Sequence, residues 1–305
     1  MVIKKPGRIT DRITLLGREE SCVYLINGGK EYALLGGGMP YIIPDMLAQL
    51  EKMGVEEQKI KRLVIHHAHF DHIGVAPYFK KRWPWLKVTA SERARELLST
   101  PKVIKNIVNL SRGLLAEHGM EDRLEEFGFD LGAIEIDEVV SDNDILPCGD
   151  VSLKIISTPG HSSCALVVYI PEEKALSASD SGGIPFGDRI FDAANSNFDL
   201  YQQSLEKMAA HDVQIHMAEH FGAYLGEDGR NFLQKSIKSA KETRKFAEEV
   251  YLSTRDEKKT AQELLARLMK GAPDNFLPQE VIAMVVGQMT SFLAKKLTLG
   301  DQAAS

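Results

Sequence analysis

The chain begins as short apolar runs separated by turn residues. Ile13-Thr14-Leu15-Leu16 and Cys22-Val23-Tyr24-Leu25-Ile26 read as strands, Asn27-Gly28-Gly29 as a turn, and Tyr32-Ala33-Leu34-Leu35 as the next strand of a meander. The spacing becomes helical between Pro44 and Lys52, where Met46, Leu47 and Leu50 share a face. Leu63-Val64-Ile65 returns to a strand, and a short helix follows to about Arg82. From Ser91 to about Phe127, apolar positions at Leu97, Leu98, Ile104, Ile107, Val108, Leu114 and Leu115 predict a mostly helical stretch.

A second strand-rich region follows, with Val151 to Ile156, Ala165 to Ile170, Ala175 to Ala178 and Val213 to Met217, interrupted by a helix from about Leu200 to Ala210. Beyond Asp228 the pattern is helical throughout. Thr260-Ala261-Gln262-Glu263 fits a capping box ahead of Leu264, Leu265 and Leu268. Pro278 suits the first turn of a last helix striped by Ile282, Val285, Met289, Phe292 and Leu293. Two strand-rich halves separated by helices predict an α/β sandwich of sheets with helices on the outside.

Composition narrows the function. The 305 residues are 44% hydrophobic and 26% charged, an ordinary globular balance. A net charge of -6 argues against a nucleic-acid footprint. The basic run Lys80-Lys81-Arg82 reads as the end of a helix, where cations are favoured. No uncharged apolar stretch is long enough to span a membrane, and Met1 to Pro6 lacks the apolar region of a secretory signal, so a cytoplasmic protein is expected. Cys22, Cys148 and Cys164 have no metal-type spacing and read as reduced core thiols.

The candidate chemistry is concentrated in His67-Ala68-His69-Phe70-Asp71-His72, three imidazoles and a carboxylate directly after the strand Leu63-Val64-Ile65. Such groups are costly to gather unless a cation organises them. His161 lies in the Pro-Gly turn after Ile156, Asp180 follows the strand 175–178, and His220 follows Met217. The same placement, just past a strand's C-terminal end, recurs four times, and loops on a rigid sheet usually hold functional groups. His66 is expected to face away from His67 because adjacent strand side chains alternate. His118, His211 and His216 are not expected to bind metal.

These residues, in this order, resemble the metallo-β-lactamase-fold hydrolases, over roughly Ile13 to Gly222. The resemblance implies an αββα four-layer sandwich spanning 1–227, with a helical insertion at about 91–127. Residues 228–305 become a C-terminal helical layer over the active-site cleft. It further implies two divalent metal ions, zinc or iron with manganese also open. His67, His69 and His161 would hold the first, Asp71, His72 and His220 the second, and Asp180 would bridge them. The implied activity is hydrolysis of an ester or thioester by a metal-bridging hydroxide, with Asp71 and Asp180 in the catalytic set. The Asp-bridged set is similar to glyoxalase II.

The likeness extends furthest to the quinolone-signal response protein subgroup, through Ala90-Ser91-Glu92-Arg93 and Asp274-Asn275-Phe276-Leu277-Pro278-Gln279-Glu280. That implies a small-molecule substrate with a lipophilic part, and no nucleic-acid or membrane partner. A phosphodiesterase of the same superfamily, or a regulatory binding protein that keeps the metal site, is the alternative. Many relatives carry an acidic residue where this chain has Leu35-Gly36-Gly37-Gly38. A carboxylate missing at Gly36 is expected to loosen one ligand and weaken metal binding about 10–100-fold. The triple glycine itself reads as flexible backbone near the site.

Overall fold

The computed structural model describes residues 1–130, 133–186, 189–272 and 277–304. Its first eight strands are β1 (Val2–Ile3), β2 (Gly7–Arg8), β3 (Ile13–Arg18), β4 (Ser21–Asn27), β5 (Tyr32–Leu35), β6 (Ile60–Val64), β7 (Lys87–Ser91) and β8 (Glu138–Val140). Eight more follow: β9 (Ile145–Cys148), β10 (Val151–Ser157), β11 (Leu166–Ile170), β12 (Ala175–Ser177), β13 (Ile184–Phe186), β14 (Arg189–Phe191), β15 (Ile215–Met217) and β16 (Ala223–Leu225). Strands β2 to β8 form one sheet in chain order, antiparallel to β5 and parallel beyond it. The other sheet runs β1-β16-β15-β12-β11-β10-β9, and β13 and β14 make a separate hairpin.

The helices are α1 (Ile43–Lys52), α2 (Ala76–Arg82), α3 (Glu92–Leu98), α4 (Pro101–Glu117), α5 (Phe198–Ala209), α6 (Glu227–Thr254), α7 (Glu257–Leu268) and α8 (Gln279–Ala304). Strand periodicity sorts side chains between three cores. Along β4, Cys22, Tyr24 and Ile26 face the space between the sheets, whereas Val23 and Leu25 face the helices of the first half. The central core joins Ile13, Leu15 and Tyr24 to Leu153, Ile155 and Val168 of the second sheet. Helices α1 to α4 cover the first sheet, and α5 to α8 cover the second. The layer order is therefore αββα with added C-terminal helices, the class the sequence predicts.

One local expectation changes and another gains detail. The 91–127 region is mostly helical, as expected, but in separate pieces: Pro101 opens α4 after a break at Ser99 and Thr100, and Gly119 takes a left-handed φ of 66° just after α4. The capping box at Thr260 is not used, because α7 starts earlier, with the Asp256 carboxylate accepting from the Lys259 amide at 3.0 Å. Thr260 instead donates its hydroxyl to the Asp256 carbonyl at 2.8 Å. Pro278 does sit at the start of α8, its carbonyl accepting from the Val281 and Ile282 amides. The neighbouring stretch Asp274 to Phe276 lies outside the described residues. All three cysteines are free and buried, and burial pushes the Cys22 thiol up to about 12. No helix among the described residues is long and apolar enough to cross a membrane.

Helix α6 is tied to the rest by one buried carboxyl. Asp192, just past β14, accepts from Thr243 at 2.7 Å and Ser239 at 2.8 Å, both on α6. Burial pushes its pKa up to about 7, against the pull of those two hydroxyls. The folded state therefore holds a proton that the unfolded chain releases at an ordinary carboxylate pKa, and stability falls as pH rises between about 4 and 7. Asp192→Asn is expected to flatten that decline, by up to about 1.4 kcal/mol per pH unit. Urea unfolding at a series of pH values measures it, and an unchanged slope would contradict the assignment.

Candidate metal centre

Four chain segments meet between the ends of the two sheets. The first leaves β6, stays extended through His69 (φ -76°, ψ 151°) and closes in a 3₁₀ turn over Phe70 to His72. That turn aims Asp71 and His72 inward while Phe70 is buried in the first core. The second segment follows β10, where Gly160 adopts φ 134° against the backbone of Tyr201, ahead of His161. The Gly160 carbonyl accepts from the Ser196 and Asn197 amides, which ties His161 to the start of α5. The third is the turn Ser179–Gly182 after β12, and the fourth carries Glu219 and His220 after β15. Ser179 and Phe221 hold left-handed φ values of 47° and 63°. Such values in non-glycine residues cost on the order of 1–2 kcal/mol and persist only where the surroundings enforce them.

All seven predicted residues come together. His161 Nε2 lies 3.1 Å from His67 Nε2 and 3.0 Å from His69 Nδ1. On the other side His72 Nε2 lies 3.2 Å from His220 Nε2 and 3.4 Å from Asp71 Oδ2. Asp180 stands between the groups, with Oδ2 3.2 Å from His72 Nε2 and 3.5 Å from His161 Nε2, and Oδ1 3.6 Å from His220 Nε2. Six of the seven are buried, and His69 is half-buried.

The outer ring nitrogens explain why the inner ones converge. His161 Nδ1 faces the Ala193 carbonyl at 2.8 Å, and His220 Nδ1 faces the Glu20 carbonyl at 2.7 Å. A carbonyl only accepts, so each outer nitrogen carries the proton and each inner one presents a lone pair. Lone pairs 3 Å apart repel unless a cation lies between them. The donor set of imidazole nitrogens and carboxylate oxygens suits a borderline divalent metal.

The electrostatics divide the same way. Burial, reinforced by the surrounding imidazoles, holds His67 well below the usual histidine range. Burial also depresses His161, and lowers His69 to about 3. Burial opposes charge on His72 too, but Asp180, Asp71 and Glu219 outweigh it and hold its pKa well above the ordinary value. Burial likewise opposes charge on Asp180, and His72 and His220 overcome it to hold the carboxyl far below its usual range. Positive charge is disfavoured on three rings and favoured amid the carboxylates.

The remaining histidines lie elsewhere. His118 stacks on Tyr41 at 3.6 Å, His216 stacks on Phe232 at 3.7 Å, and His211 lies 4.9 Å from the Tyr169 ring. His66 turns from the cluster and places Nδ1 3.0 Å from Glu219.

The family profile described as the metallo-beta-lactamase superfamily matches residues 16–215, about two-thirds of the chain. The chain belongs to this superfamily. The fold agrees: a superfamily member from Thermus thermophilus aligns over 95% of both chains, with a TM-score of 0.67 at 18% identity. An archaeal member from Sulfolobus tokodaii aligns over 98% of this chain and 97% of its own, with a TM-score of 0.53 at 16% identity. Among curated proteins, "Glyoxylase B2" of Dictyostelium discoideum is 25% identical over 47% of this chain and 42% of its own length. An uncharacterized protein of Aquifex aeolicus is 26% identical over 52% and 64%. The chain thus spans about half the length of the curated relatives it matches.

Two readings of the metallo-beta-lactamase loop region change with the structure. The triple glycine is a close-packed crossing and not flexible backbone: a Cβ on Gly37 would lie 2.3 Å from the His72 carbonyl, and one on Gly36 would lie 2.0 Å from Glu219 Oε1. Nor is the carboxylate expected at Gly36 lost. Glu219 fills that space from the opposite sheet and hydrogen-bonds His72 Nδ1. The sequence signal was an acidic residue inside the otherwise apolar Met217-Ala218-Glu219-His220-Phe221, next to a ligand candidate. Asn195 was also missed. With its amide nitrogen turned inward it lies 2.9 Å from the His161 carbonyl and 2.8 Å from that of Ala193.

Gly160 offers a direct check on how His161 is held. A Cβ there would fall 2.2 Å from the Tyr201 nitrogen, on a backbone that glycine alone adopts comfortably. Gly160→Ala should cost more than about 1 kcal/mol of stability in urea unfolding and lower metal uptake. Wild-type stability in that variant would show that the crossing is looser than described.

Proposed function

We propose that this protein is a dinuclear metal-dependent hydrolase that cleaves an ester or thioester bearing a lipophilic acyl group. The observation that carries the reading is the seven-residue convergence under an apolar pocket. In this reading His67, His69 and His161 hold one ion, Asp71, His72 and His220 hold the other, and Asp180 reaches both. Zinc or iron suits the donors, and manganese remains compatible. Two bound cations would activate water near neutral pH and polarise the acyl oxygen. Asp71 would accept a hydrogen bond from the attacking water, and the buried walls would exclude competing solvent.

The pocket supplies the substrate class. A cavity of about 320 Å³ opens from His69, Asp71, His161 and Asp180, and its far walls are Leu97, Ile107 and Leu110 on one side and Val281 and Val285 of α8 on the other. An acyl chain or ring is the complement of such walls. A second opening at the same centre is lined by Ser162, Ser163, Ser196, Ser291 and Lys295. That polar mouth suits the leaving group, a polar or anionic thiol or alcohol. Similarity to the curated glyoxylase supports the hydrolytic reading. The apolar wall favours an acyl substrate over a phosphodiester, whose charged phosphate gains nothing there.

The test is elemental analysis of the protein as purified, joined to a panel holding acyl thioesters of increasing chain length and a chromogenic phosphodiester. Two metal ions and a kcat/KM favouring the thioesters are expected. Asp180→Asn and His69→Ala should each lose metal and turnover together. Full activity in a metal-free preparation would overturn the proposal.

The roof can be tested separately. Val285→Asp places a charge in the apolar lobe, and KM for the longer thioesters should rise at least tenfold with kcat much less affected. An equal loss on short and long substrates would mean the acyl group lies elsewhere.

A further inference from the structure

The Glu219 carboxylate, itself on the fourth segment, touches two of the other three that build the site. Oε2 accepts from the Ser179 hydroxyl at 2.5 Å and from His72 Nδ1, and Oε1 lies 3.0 Å from His66 Nδ1. The Ser179 oxygen is also 3.4 Å from His67 Nδ1. One buried group therefore meets ligand candidates from both halves of the cluster, His72 directly and His67 through Ser179.

Its space exists only because Gly36 has no side chain. Gly36 sits at φ 90° at the end of β5, and any Cβ would occupy the position of Oε1. The glycine and the glutamate are thus one device, in which the sheet that lacks an acid at position 36 leaves room for an acid from the other sheet. The Ser179 bond adds a second task. Ser179 holds a left-handed φ directly before Asp180, and the carboxylate that anchors its hydroxyl fixes the turn that aims Asp180.

We infer that Glu219 is a positioning residue that orients His72 and Asp180 for the second metal ion, in place of an acid at position 36. This inference rests on the two-ion reading above. His72 would be fixed as the Nδ1–H tautomer, its Nε2 lone pair turned to the ion. The Ser179 bridge to His67 would couple the first ion more weakly.

Zinc binding to the full chain tests it, by competition with a chromogenic chelator and elemental analysis, on wild type, Glu219→Gln and Ser179→Ala. Wild type should take up two ions. Glu219→Gln, nearly the same shape, should keep the tighter ion and bind the weaker one about 10–100-fold less well. Ser179→Ala should show a smaller loss. Cobalt substituted for zinc should show a changed visible spectrum in Glu219→Gln for the weaker site alone, a change that simple loss of stability would not produce.

If Glu219→Gln binds both ions as tightly as wild type, the inference is overturned. If wild type itself takes up no second ion, the two-ion reading fails instead. Should the variant not fold, nitrogen-15 spectra of zinc-loaded wild type decide: His72 protonated at Nδ1 supports the inference, and protonation at Nε2 overturns it.

Discussion

Mutual repulsion among converging lone pairs and carboxylates is the constraint around which this molecule is organised. Five imidazoles and two carboxylates point into one space with almost no solvent. No hydrogen-bond arrangement among acceptors alone satisfies such a set, so its convergence must be held from outside. The chain does this by giving the outer ring nitrogens dedicated acceptors. The carbonyls of Ala193 and Glu20 and the carboxylate of Glu219 each accept a hydrogen bond from one outer nitrogen, which turns the other ring nitrogen inward. The arrangement is preorganised for a cation, and its cost appears as strained backbone at Ser179 and Phe221 beside the groups they position.

Rigidity of the sheets makes this possible. Each contributing segment leaves the end of a strand, and the central core between the sheets fixes those ends relative to one another. Tyr24 shows the coupling: its ring belongs to that core, and its hydroxyl donates to the Ala218 carbonyl at 2.6 Å, one residue before Glu219. The Cys22 amide adds a bond to the Glu219 carbonyl at 2.7 Å. The first sheet thereby sets the position of a segment that belongs to the second. A core substitution at Tyr24 would act on the site through the backbone and without touching a ligand.

Much of this was legible before the fold was known, and the reasons differ by element. His67, His69, Asp71 and His72 announce themselves by density, because nothing but a cation rewards four such groups in six residues. His161, Asp180 and His220 are single polar residues, readable only because each follows an apolar run that is a strand. Glu219 was not legible in that way, since its partners Ser179 and His72 are 40 and 147 residues distant. The glycines at 36–38 were misread for a related reason. A glycine that allows close approach and one that allows motion look identical until the opposing atoms are in place. The Thr260 box fails more simply: an equally good cap four residues earlier at Asp256 captures the helix start.

The C-terminal helices are more than a cover. Val281 belongs to the core of the first half, while Ile282, Val286 and Met289 belong to that of the second, so α8 is wedged into both. Its face toward the cavity carries Val285 and Gln288, and the Gln288 side chain lies against the side chain of Asn195. Asn195 in turn lies against the carbonyls of His161 and Ala193. A shift of α8 to admit a bulkier apolar group would therefore pass through two amides to the residue that fixes the His161 ring. Pocket size and ligand geometry are linked by direct contact here, and widening the apolar lobe cannot leave the first trio of imidazoles where it stands.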